Sequence, residues 1–572
     1  MLLAGCAAFA AVLAFSDLGA RPLISPAEAR YALVAREMAE SGDWIQPRFN
    51  HVRFYEKPPL TFWCVGASYR LFGFTEFASR LPSALAYVGT TALTVLLALE
   101  LLGAGTAPLA GLIFATSLGP FLFGRFLFTD TMLVFCLTLS LLGLAKLSRG
   151  RASPRGAVLF YFGAALAGLA KGLIGLLFPF ATAAVYALLV GRRPFLRRLR
   201  PGLGAAILAV VLLPWHVALA LRDPDFLPFY FGHEQFARFL SQRFPVNFVA
   251  LSVPEFWIST LLWLFPWILF LPLAFTRGGR SWNRRLALVW IWVGVIMVFF
   301  TLTGSRMEYY ALPAFPAIAL IIGSGWRRFV SSGRRPSLVL VPASLLAILG
   351  LAVLPLVFGG GGSGQVALTR LITSMDGYYR EYFASRPGAA VAFGSEILRL
   401  ARPFPFVLLF LGVSTLLAVL ARRRRLAFVL CLLGIVPILE LADGGMRIVG
   451  GDRSQRAAAA VVERDWTPGS RLVVVGDYEE SCGITFYTGR PTQVYRGPGS
   501  DMLFGYEHGD SPKEFLSEAA FQKSWNSADR VFVLGGRDLT LPGARVLFDG
   551  PRSRLLVNAS STTPSARPAG AP

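Results

Sequence analysis

Apolar runs dominate the chain. Thirteen of them approach the roughly 20 residues that an α-helix needs to cross a bilayer: near 1–16, 82–102, 107–122, 129–147, 157–170, 172–190, 203–221, 258–275, 286–303, 309–326, 337–357, 402–421 and 426–443. The stretch 157–190 is interrupted only at Lys171-Gly172, read as a break between two spans. Beyond about residue 444 the pattern changes to short buried strands, Arg471 to Asp477, Val531 to Gly536 and Arg554 to Val557, separated by helical or loop segments. The expected architecture is an α-helical polytopic membrane domain over 1–443, with a first outer loop at 17–81. A small α/β domain follows over 444–558, and a Ser/Thr/Pro/Ala-rich tail over 559–572 is expected to be disordered.

Composition agrees. Of 572 residues, 55% are hydrophobic and 15% charged, against about 25% charged in soluble domains. A net charge of +22 would by itself point to nucleic acid, but its distribution argues otherwise. Twenty arginines lie in five short connections without a single Asp or Glu: 148–156, 191–201, 276–285, 327–336 and 422–425. Loops that stay in the cytoplasm carry such an excess, and with thirteen spans and a cytoplasmic N-terminus all five fall on one side. The rest of the chain is then close to neutral, no nucleic-acid partner is expected, and the long segments 17–81, 222–257, 358–401 and the C-terminal domain face the periplasm of a bacterial inner membrane.

Leu3-Ala4-Gly5-Cys6 has the form of a lipoprotein box, but five residues leave no room for an apolar signal region, so the first run is expected to be a retained helix. The other cysteines, Cys64, Cys136, Cys431 and Cys482, show no metal spacing and no disulfide framework. Gly359 to Gly362 lacks the Lys-Ser/Thr ending of a phosphate loop.

Candidate chemistry gathers on the outer face. Ser25-Pro26-Ala27-Glu28 reads as a capping box opening a helix that Gly42 stops, with Tyr31, Val34, Ala35 and Met38 on one side, suited to lie flat on a membrane. Adjacent Glu56 and Lys57 precede a second Pro-started helix at 60–72. An acid and a base there suit a metal and a phosphate, and a solvated loop pair is an equally good reading. Asp130, Lys171, Arg306, Glu308, Tyr309 and Tyr310 lie at membrane depth or at turns between spans, where ionisable groups are functional candidates. Asp130 also suits a helix start for its dipole alone. His233, Glu234 and Arg238 extend the set, although a lone His is more often a structural residue than a ligand.

Pro26-Ala27-Glu28-Ala29-Arg30-Tyr31, Ala35-Arg36-Glu37-Met38, Ser41-Gly42-Asp43-Trp44, Tyr55-Glu56-Lys57-Pro58, Phe77-Ala78-Ser79-Arg80, Thr129-Asp130, Lys171-Gly172, the Pro214 to Phe239 stretch and Tyr309-Tyr310-Ala311-Leu312-Pro313 occur in that order. In this the chain resembles the polyprenyl-phosphate-sugar-dependent membrane glycosyltransferases of GT-C fold, which include PMT-like enzymes, and most closely the ArnT-like 4-amino-4-deoxy-L-arabinose transferases of lipid A. The resemblance implies inverting transfer of a sugar from an undecaprenyl-phosphate-linked donor to lipid A or another cell-envelope glycan. It implies Glu56 as a catalytic carboxylate and Lys57, Arg30, Lys171, Arg238, Arg306, Tyr309 and Tyr310 as donor-phosphate contacts; with the usual carboxylate absent at Ala27, either Asp130 or Glu28 is the catalytic group that activates the acceptor, or the acceptor is already ionised, or this member is catalytically weak. Glu56 and His233 would be ligands of a divalent metal (Zn, Mg or Mn). Two departures stand out: Ala27 where relatives carry Asp, and Gln235 where they carry His. The remaining alternatives are a protein O-glycosyltransferase of the same fold and a lipid-linked-sugar flippase. Against the flippase, the chain shows no repeated halves.

Overall fold

In the computed structural model the described residues are 1–149, 153–190, 192–237, 250–275, 284–332, 335–358, 366, 387–499, 502–510 and 513–559. Arg238, the segment around Gly359 to Gly362 and the tail from 560 lie outside them. The chain divides into two compact units: Met1–Ala20 with Tyr55–Ile448, and Arg21–Phe54 with Val449–Pro572.

The first unit is helical. Six of its described helices are long and apolar enough to cross a membrane: Glu76–Leu101, Thr129–Ser148, Pro201–Arg222, Ser337–Phe358, Val391–Leu420 and Arg424–Arg453. The number is eight if each of two bent pairs forms one span, and Leu2–Phe15, Leu173–Leu189 and Leu286–Leu302 are shorter apolar helices. This is a multi-pass membrane protein. The expected break at Lys171 is real: one helix, Pro154–Lys171, ends there, Gly172 takes a φ of 75°, and the next, Leu173–Val190, begins.

Two apolar runs that read as single spans are bent instead. Ala107–Ala115 and Leu118–Gly124 meet at 63°, and Val253–Trp263 and Trp267–Phe275 at 95°. At the first bend the hydroxyls of Thr116 and Ser117 donate to the carbonyls of Leu112 and Ile113, an alternative to the helical ladder that favours bending. At the second, Pro266 supplies no N–H. Hydropathy counts apolar side chains and is blind to both effects.

The hairpin Thr129–Ser148 and Pro154–Lys171 matters most for function. Ser153 caps the second helix, its side chain accepting the Gly156 N–H at 3.1 Å. Small residues then bring the two backbones together. A Cβ built on Gly143 would lie 2.3 Å from Phe160 N, and one on Gly163 would lie 2.5 Å from Ser140 N. Gly163→Val should therefore force the helices apart, costing about 1–3 kcal/mol and lowering activity together with the melting temperature. A melt and a transfer assay on the same preparation check this.

The second unit has a six-stranded sheet and one hairpin. The hairpin strands are β1 (Arg48–Phe49) and β2 (Val52–Arg53). The sheet strands are β3 (Arg471–Val475), β4 (Thr492–Tyr495), β5 (Phe515–Leu516), β6 (Val531–Gly536), β7 (Arg545–Asp549) and β8 (Ser553–Val557), in the order β5-β4-β3-β6-β8-β7. The first four are parallel, and β8 pairs antiparallel with both β6 and β7. The three strands expected from apolar runs are β3, β6 and β8. The others escaped because β5 spans two residues and β4 and β7 carry polar residues.

Residues 21–54, which the pattern groups with the membrane domain as part of its first loop, pack in this second unit. Their helix is Ala27–Ser41, stopped by Gly42 in the left-handed conformation. Its start differs from a capping box. Ser25 Oγ donates to Gln455 at 2.5 Å and no side chain caps the helix, while Glu28 accepts the Ile24 N–H at 3.3 Å. Tyr31, Val34, Ala35 and Met38 are buried within the protein, so that face is taken by this unit's own elements and does not serve as a membrane-facing stripe. Glu37 accepts the N–H groups of Asn50 and His51, whose positive φ values make the tight turn between β1 and β2.

Candidate active site

The first unit contains a cavity of about 80 Å³ walled by Glu56, Lys57, Lys171, Glu234, Gln235, Thr303, Ser305 and Tyr310, with Ile174, Phe299 and Phe300 as its apolar side. Glu56 is 3% exposed and Lys57 7%, which rules out the solvated-loop reading of that pair. Lys57 Nζ lies 3.3 Å from the Glu56 carbonyl and 3.5 Å from Glu56 Oε2. The residue before them, Tyr55, is anchored: its hydroxyl donates to Asp223 Oδ2 at 2.6 Å, and its ring packs edge-on against Phe226. Asp223 follows the last turn of Pro201–Arg222, so the end of that helix fixes the approach of the Glu-Lys dipeptide.

Lys171, the last residue of its helix, pairs with Asp130 in the first turn of the preceding one. The small-residue contact of the two helices sets that pairing. The Lys171 ammonium also lies over the rings of Tyr310 at 4.6 Å and Tyr309 at 5.5 Å, an arrangement that favours a cation. Tyr309 is wedged between Phe123 and Phe128. Asp130 and Tyr309 thus act on Lys171 without walling the cavity themselves.

Other expected site residues are placed differently. Glu28 is fully buried in the second unit, ion-paired with Arg21 at 3.3 Å, an internal helix-start carboxylate. Arg30, in the same unit, meets Glu479 at 3.3 Å. Arg306 braces backbone, donating to the carbonyls of Leu251 at 2.8 Å and of Thr303. His233 stacks on Phe229 and lies 3.3 Å from Glu234 but is absent from the cavity wall. Of the two metal-ligand candidates, therefore, only Glu56 faces the cavity. Among the described residues no three His, Cys, Asp or Glu side chains gather to hold an ion, and an ammonium already stands beside Glu56. A divalent ion in this cavity would be held by Glu56 and Glu234, with His233 beside Glu234.

Sequence reasoning missed Thr303, Ser305, Phe299 and Phe300 as wall residues, and Asp223 as an anchor. The polar pair Thr303 and Ser305, directly after an apolar run, was the available signal. Asp223 gave none, since its partner is 168 positions away.

The cavity thus sets two ammonium groups and a tyrosine beside buried carboxylates, the donor types that stabilise a developing negative charge. The fold agrees. The chain superposes on ArnT from Cupriavidus metallidurans bound to undecaprenyl phosphate with a TM-score of 0.82 at 23% identity, over 97% of this chain and 98% of that one. For the same enzyme in the apo state the values are 0.80 and 24%, over 97% of each. The chain therefore has the GT-C fold of a multi-pass membrane protein.

Sequence comparison narrows the class. Residues 56–217 match the family model described as dolichyl-phosphate-mannose-protein mannosyltransferase. The undecaprenyl phosphate-α-4-amino-4-deoxy-L-arabinose arabinosyl transferase of Aeromonas salmonicida is 30% identical over 374 residues, 62% of this chain and 67% of that protein. Its counterpart in Pectobacterium atrosepticum is 28% identical over 534 residues, 89% of this chain and 88% of that protein. The chain belongs to the undecaprenyl phosphate-α-4-amino-4-deoxy-L-arabinose arabinosyl transferase family.

Proposed function

We propose that this protein transfers 4-amino-4-deoxy-L-arabinose from an undecaprenyl-phosphate-linked donor to lipid A at the periplasmic side of the inner membrane. The observation that carries the reading is the presence of Lys57 and Lys171 on one cavity wall with two buried carboxylates, Glu56 and Glu234. Breaking the bond between sugar and phosphate returns a full negative charge to the lipid phosphate. Fixed ammonium groups stabilise that charge as it develops, without reorganising. Lys57 and Lys171 fill this role, with the Tyr310 hydroxyl as a further donor. Inversion requires the acceptor hydroxyl to attack from the opposite face of the sugar, and a carboxylate in reach of that hydroxyl takes its proton. Glu56 and Glu234 are the wall carboxylates for that task. Asp130 is committed to Lys171, and Glu28 to Arg21. The arginine-rich connections, acid-free and on one side of the expected topology, support the periplasmic assignment.

Mass spectrometry of envelope lipids from strains with and without the gene is the direct test. A pentosamine lost from lipid A on deletion is the expected result, and unchanged lipid A overturns the acceptor assignment. The mannosyltransferase family match favours a second reading in which the acceptor is a Ser or Thr of an exported protein. Glycopeptide analysis of the same strains separates the two.

A further inference from the structure

Gln235 holds the Lys171-Gly172-Leu173 turn. It sits in the π-helical segment Pro228–Ala237, and its Oε1 accepts the N–H of Leu173 at 3.2 Å. That N–H is one of the first of its helix, which have no acceptor inside the helix, and only the oxygen end of the amide can receive it. The approach is close: a Cβ on Gly172 would lie 2.7 Å from the Gln235 amide, and the φ of 75° at Gly172 independently favours glycine. Lys171 is thus fixed from two directions, its backbone through the turn that Gln235 clamps and its ammonium through Asp130 and the Tyr310 ring. Gln235 also lies on the cavity wall. Being neutral, it adds no charge to a wall that already holds two ammonium and two carboxylate groups.

We propose that Gln235 is a positioning residue that sets Lys171 toward the donor phosphate by clamping the Leu173 N–H. This rests on the reading that Lys171 meets that phosphate. It also gives the Gln235 amide oxygen on the cavity wall a hydrogen-bonding task.

The test uses full-length protein in lipid nanodiscs, with undecaprenyl phosphate and phosphate-free undecaprenol as probes. The variants are Gln235→Met, which keeps the length and removes the acceptor, Lys171→Met, and the two combined. Gln235→Met should weaken undecaprenyl phosphate about tenfold, the scale of one lost hydrogen bond, and leave undecaprenol binding unchanged. The double variant should bind no more weakly than Lys171→Met alone. A thermal melt identifies any preparation that has lost its fold, and the double-variant comparison is then made relative to Lys171→Met at a temperature where both are folded. If Lys171→Met weakens phosphate binding and Gln235→Met does not, the clamp is overturned while the site stands. If neither weakens it, the site reading falls and the clamp with it. Fully additive losses, or equal loss of undecaprenol, also overturn it, because Gln235 would then act independently of Lys171.

Discussion

Lys57→Met is expected to lower the rate of sugar transfer by about 10²–10³-fold, the effect of removing one fixed charge-stabilising donor from a transition state. The geometry requires a control. Lys57 and Glu56 are both buried and lie within 3.5 Å of each other, so deleting the ammonium leaves a carboxylate without its neighbouring charge, at a cost in stability as well as in rate. The double variant Lys57→Met/Glu56→Gln removes both charges and should regain much of the lost melting temperature while remaining inactive. Transfer assays with the lipid-linked sugar and melts on both variants separate catalysis from folding. Turnover at the normal rate in Lys57→Met would refute the site assignment.

Asp130→Asn should have the next largest effect. Asp130 and Lys171 form a pair whose side chains are 4% and 10% exposed, and removing one charge of a buried pair costs about 3–5 kcal/mol. Here the loss also removes the carboxylate that holds the Lys171 ammonium and leaves it over the Tyr309 and Tyr310 rings. The variant should therefore bind undecaprenyl phosphate more weakly and melt earlier, and adding Lys171→Met should restore melting but not binding. This distinguishes a partner of Lys171 from a general base. A base replaced by its amide would lose transfer with phosphate binding intact, an outcome that would return Asp130 to the catalytic role its sequence position suggests.

Much of the site was legible because membrane proteins limit what charge can do. In a chain with 15% charged residues, Asp130 and Lys171 stood out against apolar helices, and Glu56-Lys57 stood out beside a Pro-started one. Burial of a charge is costly, so such residues have few reasons to exist other than structure or function. Glu28 and Arg30 looked equally good on that criterion. Inside the second unit Glu28 pairs with Arg21, seven positions away, and Arg30 with Glu479, 449 positions away, a partner that local sequence has no means of revealing. Arg306 shows a related limit: a guanidinium in a loop between spans suits a phosphate or backbone carbonyls equally well, and only the tertiary structure brings the Leu251 and Thr303 carbonyls to it.

What the sequence by itself determined is the membrane-spanning character, the break at Lys171, the sheet-bearing C-terminal region and the family. Each follows from signals local in the chain: apolar run length, a glycine after a charged residue, β-branched runs and ordered motifs. What only the tertiary structure decided is which charges meet. The small-residue contact of two helices joins Lys171 to Asp130, Asp223 anchors Tyr55 across 168 positions, and residues 21–54 join the C-terminal unit although the chain continues from them into the helices of the first. Pairing of buried charges depends on distances of a few ångströms between segments far apart in sequence, and no run length or local motif encodes those distances.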